Sequence, residues 1–346
     1  MTAKKTRDSN MELLRIVAML LIMVIHASNR ALPMPNSEDI VANPSSTFLQ
    51  FTARGFSIMG VDVFVMLSGW YGIRPRLSRI GELLFQILFF GLLCLLAKYI
   101  LTGGQLPYSP IQTLLTLFIL DNTSYWFIKC YLGLYLFAPV LNAFVEHATK
   151  QQFALTLCGL FAFQFVFGWV FESTTWICAG YSLPSFMCLY LLARFMKVHH
   201  PKFTRQSRLV DLSVYLGAVA VLSVGVFLLR RYLGLGGVLY FYNSPVVIIA
   251  AVGLLLFFSK LSFSNQAINW LGISALSIYL THSSNFIGGY YDECIRQWFY
   301  DETRTTFLIY TVLLIAGVFF GSIIIDKARL LLWHFLTSFR KKPFSN

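Results

Sequence analysis

Long apolar runs alternate along the chain with short polar or charged breaks, and most runs are too long for the buried helix of a soluble core. A helix needs about 20 residues to cross bilayer hydrocarbon. Windows of that length fall near 11–30, 52–72, 80–101, 124–145, 152–171, 180–197, 210–229, 239–259, 267–288 and 306–327. The pattern predicts an all-α, polytopic integral membrane protein. About ten transmembrane helices form a single domain over 1–346, with no separate soluble domain. The stretch 111–120 (IQTLLTLFIL) is too short to cross, which predicts an interfacial or re-entrant segment. The first run continues without a convincing cleavage site, so removal as a signal peptide is not expected.

Composition agrees. Of 346 residues, 57% are hydrophobic and 12% charged, and the mean hydropathy is +0.67. An ordinary soluble domain is about half apolar and about a quarter charged. A soluble enzyme, a disordered chain and a secreted disulfide scaffold are therefore excluded. Cys94, Cys130, Cys158 and Cys188 fall in apolar runs, and no CxxC or Cys/His metal spacing appears, so no metal site is expected. Cys178 and Cys294 lie in loops, and no disulfide between them is expected. The net charge of +12 fits Lys and Arg beside anionic membrane lipids better than a nucleic-acid partner.

The charges also predict orientation. With the N-terminus inside, the cytoplasmic side collects Lys4, Lys5, Arg7, Arg15, Arg74, Arg76, Arg79, Lys150, Lys197, Lys202, Arg205, Arg208, Lys260, Lys327, Arg329, Arg340, Lys341 and Lys342. The opposite side holds only Arg30, Arg54, Arg230, Arg231, Arg296 and Arg304, with most loop acids, Glu38, Asp39, Glu172 and Asp292 among them. This bias places both termini in the cytoplasm.

Ionisable residues inside spans are costly, about 2.5–3.5 kcal/mol each on insertion scales, and ask for a reason. Arg15 and His26 stand eleven residues apart in the first span. That is close to three turns, so they share a face about 16 Å apart along the axis. A snorkelling Arg and an interfacial His would read the same way. Asp62, in GVDVFVMLSGWYG, falls near mid-membrane. It lies within about two turns of His26 in depth, so it can either orient the imidazole or serve only helix pairing. Gly60 and Gly69 suit close helix approach. Arg74, Arg76 and Arg79 follow in GIRPRLSRI without a Lys, which favours phosphate recognition over simple anchoring. His282, in ALSIYLTHSSN, is expected at the depth of His26. Trp126 and Lys129 sit near the outer end of the fourth span, where a Trp ordinarily belongs to the interfacial belt.

Taken together, these strings resemble the membrane-bound acyltransferase 3 family of bacterial surface-carbohydrate O-acyltransferases. The resemblance rests on Arg15 with ten residues before His26, on GVDVFVMLSG, on the RLSR of Arg76 and Arg79, on YWFIKCYLGLYLFAPVL and on SIYLTH. Their order and spacing span nearly the whole chain. The opening NMELLRIVAML departs from the family's usual Asp-Gly-Leu-Arg-Gly-rich start, and no hydrolase-like domain is expected after the spans. The resemblance implies a multi-pass protein of the bacterial cytoplasmic membrane, with acetyl-CoA as cosubstrate and no permanently bound cofactor. It implies a hydroxyl of a cell-surface polysaccharide or lipid-linked glycan as acceptor, and polysaccharide-assembly enzymes as candidate partners. It also implies that His26 is essential, with Arg15, Arg76 and Arg79 assisting at the donor.

The residues then suggest a mechanism. Imidazole titrates near pH 6.5, so neutral His26 is suited to take the acceptor proton as the hydroxyl attacks the thioester, help worth about 10²–10⁴ in rate. Asp62 would hold the reactive tautomer. Arg74 would join the donor arginines, while Trp126, Lys129, Tyr279 and His282 would position the acceptor or stabilise charge at the carbonyl. A covalent route with the acyl group parked on His26 or Ser68 is the variant. The alternative from another class is a proton-coupled transporter using a His–Asp relay.

Overall fold

The computed structural model describes residues 7–121, 125–171 and 176–338. Lys4, Lys5, Glu172, Arg340, Lys341 and Lys342, used above for orientation, lie outside the described residues. In chain order the α-helices are α1 (Ser9–Ile25), α2 (Ser37–Ala42), α3 (Pro44–Ser57), α4 (Gly60–Tyr71), α5 (Leu77–Leu101), α6 (Pro110–Leu117), α7 (Trp126–His147) and α8 (Lys150–Phe163). They continue with α9 (Leu183–His199), α10 (Arg208–Leu233), α11 (Pro245–Ser259), α12 (Gln266–Gly272), α13 (Ala275–His282), α14 (Gly288–Asp301) and α15 (Arg304–Ser338). Two π-helical segments, His26–Arg30 and Gln164–Val170, extend α1 and α8.

Local chemistry sets the helix starts. Asn36 and Asp39 form a reciprocal capping box at α2, and Thr149 and Gln152 form another at α8. Asn43 accepts from the Ser46 N–H ahead of Pro44 at α3, and Ser182 accepts from Ser185 N–H at α9. Gly72 ends α4 with φ 75° and Gly234 ends α10 with φ 67°, a left-handed backbone that glycine adopts without a Cβ penalty.

Among the described residues, eight helices are long and apolar enough to cross a membrane: Ser9–Arg30, Pro44–Tyr71, Leu77–Leu101, Trp126–His147, Lys150–Val170, Arg208–Leu233, Gly237–Ser259 and Arg304–Ser338. Two of the ten expected spans differ. The window 180–197 becomes α9, a helix of 17 residues. The window 267–288 is not one helix: α12 stops at Gly272 and α13 starts at Ala275. The segment 111–120 forms only the eight-residue α6 and does not cross.

The chain divides into two compact units, Met1–Pro75 with Trp126–Gly272, and Arg76–Tyr125 with Ile273–Asn346. In the first unit α4 packs on α1, α9 and α11, α3 on α10 and α1, α7 on α9, and α12 on α1. Glycines permit two of these approaches. A Cβ on Gly60 would meet Ala18 O at 2.9 Å, and one on Gly69 would meet Tyr190 O at 2.5 Å. In the second unit α13 packs on α15 and α5. There Arg329, counted on the cytoplasmic side, is buried. It donates to Asp326 Oδ1 at 2.6 Å, and the Gln86 amide donates to the same oxygen at 3.0 Å. None of the six cysteines is in a disulfide; Cys178 belongs to the first unit and Cys294 to the second.

Replacing Gly69 by Val is expected to push α4 off the α9 backbone and to abolish most monodisperse protein on size exclusion in detergent. Gly159→Ala on α8, where no atom lies within 4 Å of the new Cβ, should leave the profile unchanged.

Candidate active site

Helix α1 carries the two leading candidates. Its half-exposed positions Leu13, Val17, Leu20 and Val24 form one stripe. Arg15, Met19, Ile22 and His26 lie about 180° around the helix from that stripe. Met19 and Ile22 are buried, and Arg15 and His26 are only partly accessible. The imidazole is therefore on the face turned away from the stripe, and residues 15–25 are α-helical throughout, so the separation of about 16 Å along the axis holds.

Arg15 is held by Glu12. Its Nη1 donates to Glu12 Oε2 at 2.5 Å, while Arg7 Nη1 donates to Oε1 at 3.0 Å. Glu12 is buried, and Gly272 of α12 makes room for it, since a Cβ there would collide with the carboxylate. The unusual opening NMELLR thus supplies an acid that fixes the arginine. Beside it, a polar cavity of about 390 Å³ is lined by Arg7, Asn10, Trp70, Lys197, Ser262 and Ser264 among others.

His26 opens the π-helical segment, whose i→i+5 bond runs from Ala31 N–H to the His26 carbonyl at 3.1 Å. Such a wide turn leaves carbonyls without helical partners, and Arg54 of α3 takes them. Its Nε donates to Ser28 O at 2.7 Å, and its Nη2 donates to Ser28 O and, at 3.0 Å each, to Leu32 O and Pro33 O. Arg54, counted on the outer side at the start of the window 52–72, is a fully buried helical residue. Sequence reasoning missed it because a basic residue near a span end looks like an anchor.

Asp62 does not orient His26. Both its carboxylate oxygens are buried without a hydrogen-bond partner. The helix geometry explains why. Gly60 faces α1 and Gly69 faces α9, and Asp62, seven residues before Gly69, shares the α9-facing side. Ser68, the covalent alternative, is in hydrogen-bond contact with Tyr131 Oη at 3.1 Å.

The basic cluster after α4 is divided. Arg74 is exposed on a loop of the first unit whose backbone is fastened on both sides: Ile73 N–H donates to Tyr190 Oη at 3.1 Å, and the Asn142 amide donates to Ile73 O at 2.8 Å. Tyr190 Oη in turn donates to Asn142 Oδ1 at 2.6 Å. Arg76, the N-cap residue of α5, and Arg79 in its first turn belong to the second unit, and both are exposed.

The remaining candidates also fall into separate units. Trp126 opens α7 in the first unit within an aromatic cluster, its ring centroid 4.5 Å from Tyr181 and 5.8 Å from both Phe186 and Tyr242. Lys129 lies one turn further along α7 and is partly exposed. In the second unit His282 ends α13 and is buried, with Nδ1 2.6 Å from the Ile278 carbonyl. A carbonyl only accepts, so the proton sits on Nδ1. Tyr279 and Tyr291 set their rings 6.1 and 5.6 Å from that imidazole.

Against this geometry, the acyltransferase 3 family (acyltransferase domain) matches residues 8–327, and the chain belongs to that family. No curated protein and no solved structure matches the chain. Family and helices together define a multi-pass membrane acyltransferase, and acyl transfer displaces the carrier reading.

Arg54→Met should strand the Ser28, Leu32 and Pro33 carbonyls at about 1–3 kcal/mol each. The expected result is a clear fall in Tm, with Arg54→Lys recovering only part because an ammonium lacks the guanidinium fork; a thermal shift assay in detergent reads it. Glu12→Gln, which frees Arg15, should raise KM for the acyl donor several-fold with little change in kcat.

Proposed function

We propose that the protein moves an acetyl group from cytoplasmic acetyl-CoA to a hydroxyl of a cell-surface polysaccharide or lipid-linked glycan, with His26 as general base. The observation that carries this reading is the shared face of Arg15 and His26. A cation tethered by Glu12 stands near one end of α1 and an imidazole stands at the other. Their separation of about 16 Å matches the scale of an extended pantetheine arm. Phosphates of the donor would lie at the Arg15 end, where Arg7 and Lys197 line a polar cavity, with Arg74 assisting. The thioester would then reach His26. Neutral imidazole takes the hydroxyl proton, the acceptor oxygen bonds to the thioester carbon, the C–S bond breaks, and the imidazolium returns the proton to the leaving thiolate. Trp126 and Lys129 of the first unit are assigned to the acceptor. The reading places both termini in the cytoplasm and the protein in the bacterial cytoplasmic membrane.

The test is acetyl transfer by the purified full chain in proteoliposomes with radiolabelled acetyl-CoA, alongside NMR of surface glycans from cells with and without the gene. His26→Ala should lower transfer by at least about 100-fold at unchanged protein level. Normal transfer by that variant would refute the base assignment, and an unaltered glycan ester content on deletion would refute the reaction.

A further inference from the structure

The first unit holds a second cavity, of about 430 Å³, at the end of α1 that carries His26. Its lining includes Asn29, Met34, Tyr181, Gly237, Tyr240 and Phe241. Asn29 sits three residues after His26 in the same π-helical segment. The volume falls within the range of small-molecule sites, and aromatic walls with a few polar groups are the usual lining of such sites. Tyrosine and phenylalanine faces also match the C–H faces of a pyranose ring, while an amide and phenolic hydroxyls match its hydroxyl groups.

Two arginines without an acidic partner among the described residues lie close to this cavity, though neither lines it. Arg230, at the end of α10, has Nη2 2.9 Å from Met34 Sδ, a weak acceptor, and its Nε is buried without a partner. A Cβ on Gly237 would lie 3.4 Å from Arg230 Nη2, so the guanidinium stands directly behind that glycine. Arg54 bonds the Leu32 and Pro33 carbonyls just before Met34, and its Nη1 is likewise buried and unpartnered. Among the described residues neither arginine forms an ion pair, and no acidic residue lines the cavity. Buried cations are ordinarily paired. The fully buried Arg54 and the partly buried Arg230 have no acidic partner among the described residues, and a ligand in the adjacent cavity could bring the anion.

We propose that this cavity seats a sugar of the acceptor glycan, and that this sugar is acidic: a pyranose bearing a carboxylate, its ring against Tyr181 and Phe241 and its carboxylate drawing on Arg230. The inference rests on the reading above that the protein acylates a glycan, and it narrows the acceptor class to acidic polysaccharides such as those containing a uronate.

Binding and transfer are measured on the detergent-purified full chain with a glucuronic-acid-containing disaccharide and its neutral glucose counterpart. The acidic sugar should bind at least about tenfold more tightly. Arg230→Gln should erase that preference, and Leu235→Trp, which adds bulk at a lining position without removing a charge, should abolish binding of both sugars. Acetyl-CoA binding should be unchanged in both variants. Equal binding of the two sugars, or a preference that survives Arg230→Gln, overturns the proposal. So does displacement of the acidic sugar by phosphatidylglycerol nanodiscs but not by phosphatidylcholine ones, since the anion site would then belong to lipid. A wild-type chain that shows the preference but acetylates neither sugar supports the cavity assignment and sinks the transfer reading instead.

Discussion

In hydrocarbon no water is at hand for a backbone group that loses its helical partner, so every break in a spanning helix must be closed by protein. The breaks in this chain are closed by long polar side chains reaching from neighbouring helices. Arg54 collects the carbonyls of Ser28, Leu32 and Pro33 beyond the π-helical turn. Tyr215 donates to Phe56 O as α3 gives way to α4. Tyr190 and Asn142 hold both sides of Ile73. In the second unit Tyr125 donates to Leu280 O at 2.6 Å near the end of α13. Irregular backbone at such depth is tolerated where protein surrounds it, and this is where the candidate chemistry gathers.

That requirement links stability to function at His26. Ser28 O lies in the π-turn that begins at the imidazole, and Leu32 O and Pro33 O lie in the loop after it, so Arg54 closes both the helix end and the chain's exit from it. Satisfying the turn places a fully buried guanidinium against the Leu32 and Pro33 carbonyls, next in the chain to Met34 of the aromatic cavity. The same economy operates at the other end of α1, where one buried carboxylate, Glu12, holds both Arg7 and Arg15.

Much of this was legible in the residues. Apolar runs of spanning length located most helices, because hydrophobic thickness sets helix length irrespective of neighbours. The eleven-residue interval from Arg15 to His26 predicted a shared face, because the α-helical period is local. Gly60 and Gly69 were readable as contact points, and both pack closely on neighbouring helices. The reading failed where a side chain's partner lies far along the chain. Asp62 looked able to reach His26 by depth, but its azimuth depends on which neighbour α4 turns toward. Arg54 and Arg329 looked like surface anchors and are buried, one capping broken backbone and the other bound to Asp326.

The sequence by itself determined the membrane class, the family and the helical face that carries Arg15 and His26, since length, order and period are properties of contiguous residues. Only the tertiary structure decided that the window 267–288 is broken, that the Asp62 oxygens are buried without a partner, and that Arg54 and Arg230 have no acidic partner among the described residues. These outcomes depend on which helices meet and at what rotation. Packing of side chains distant in the chain sets that rotation, and no local pattern encodes it.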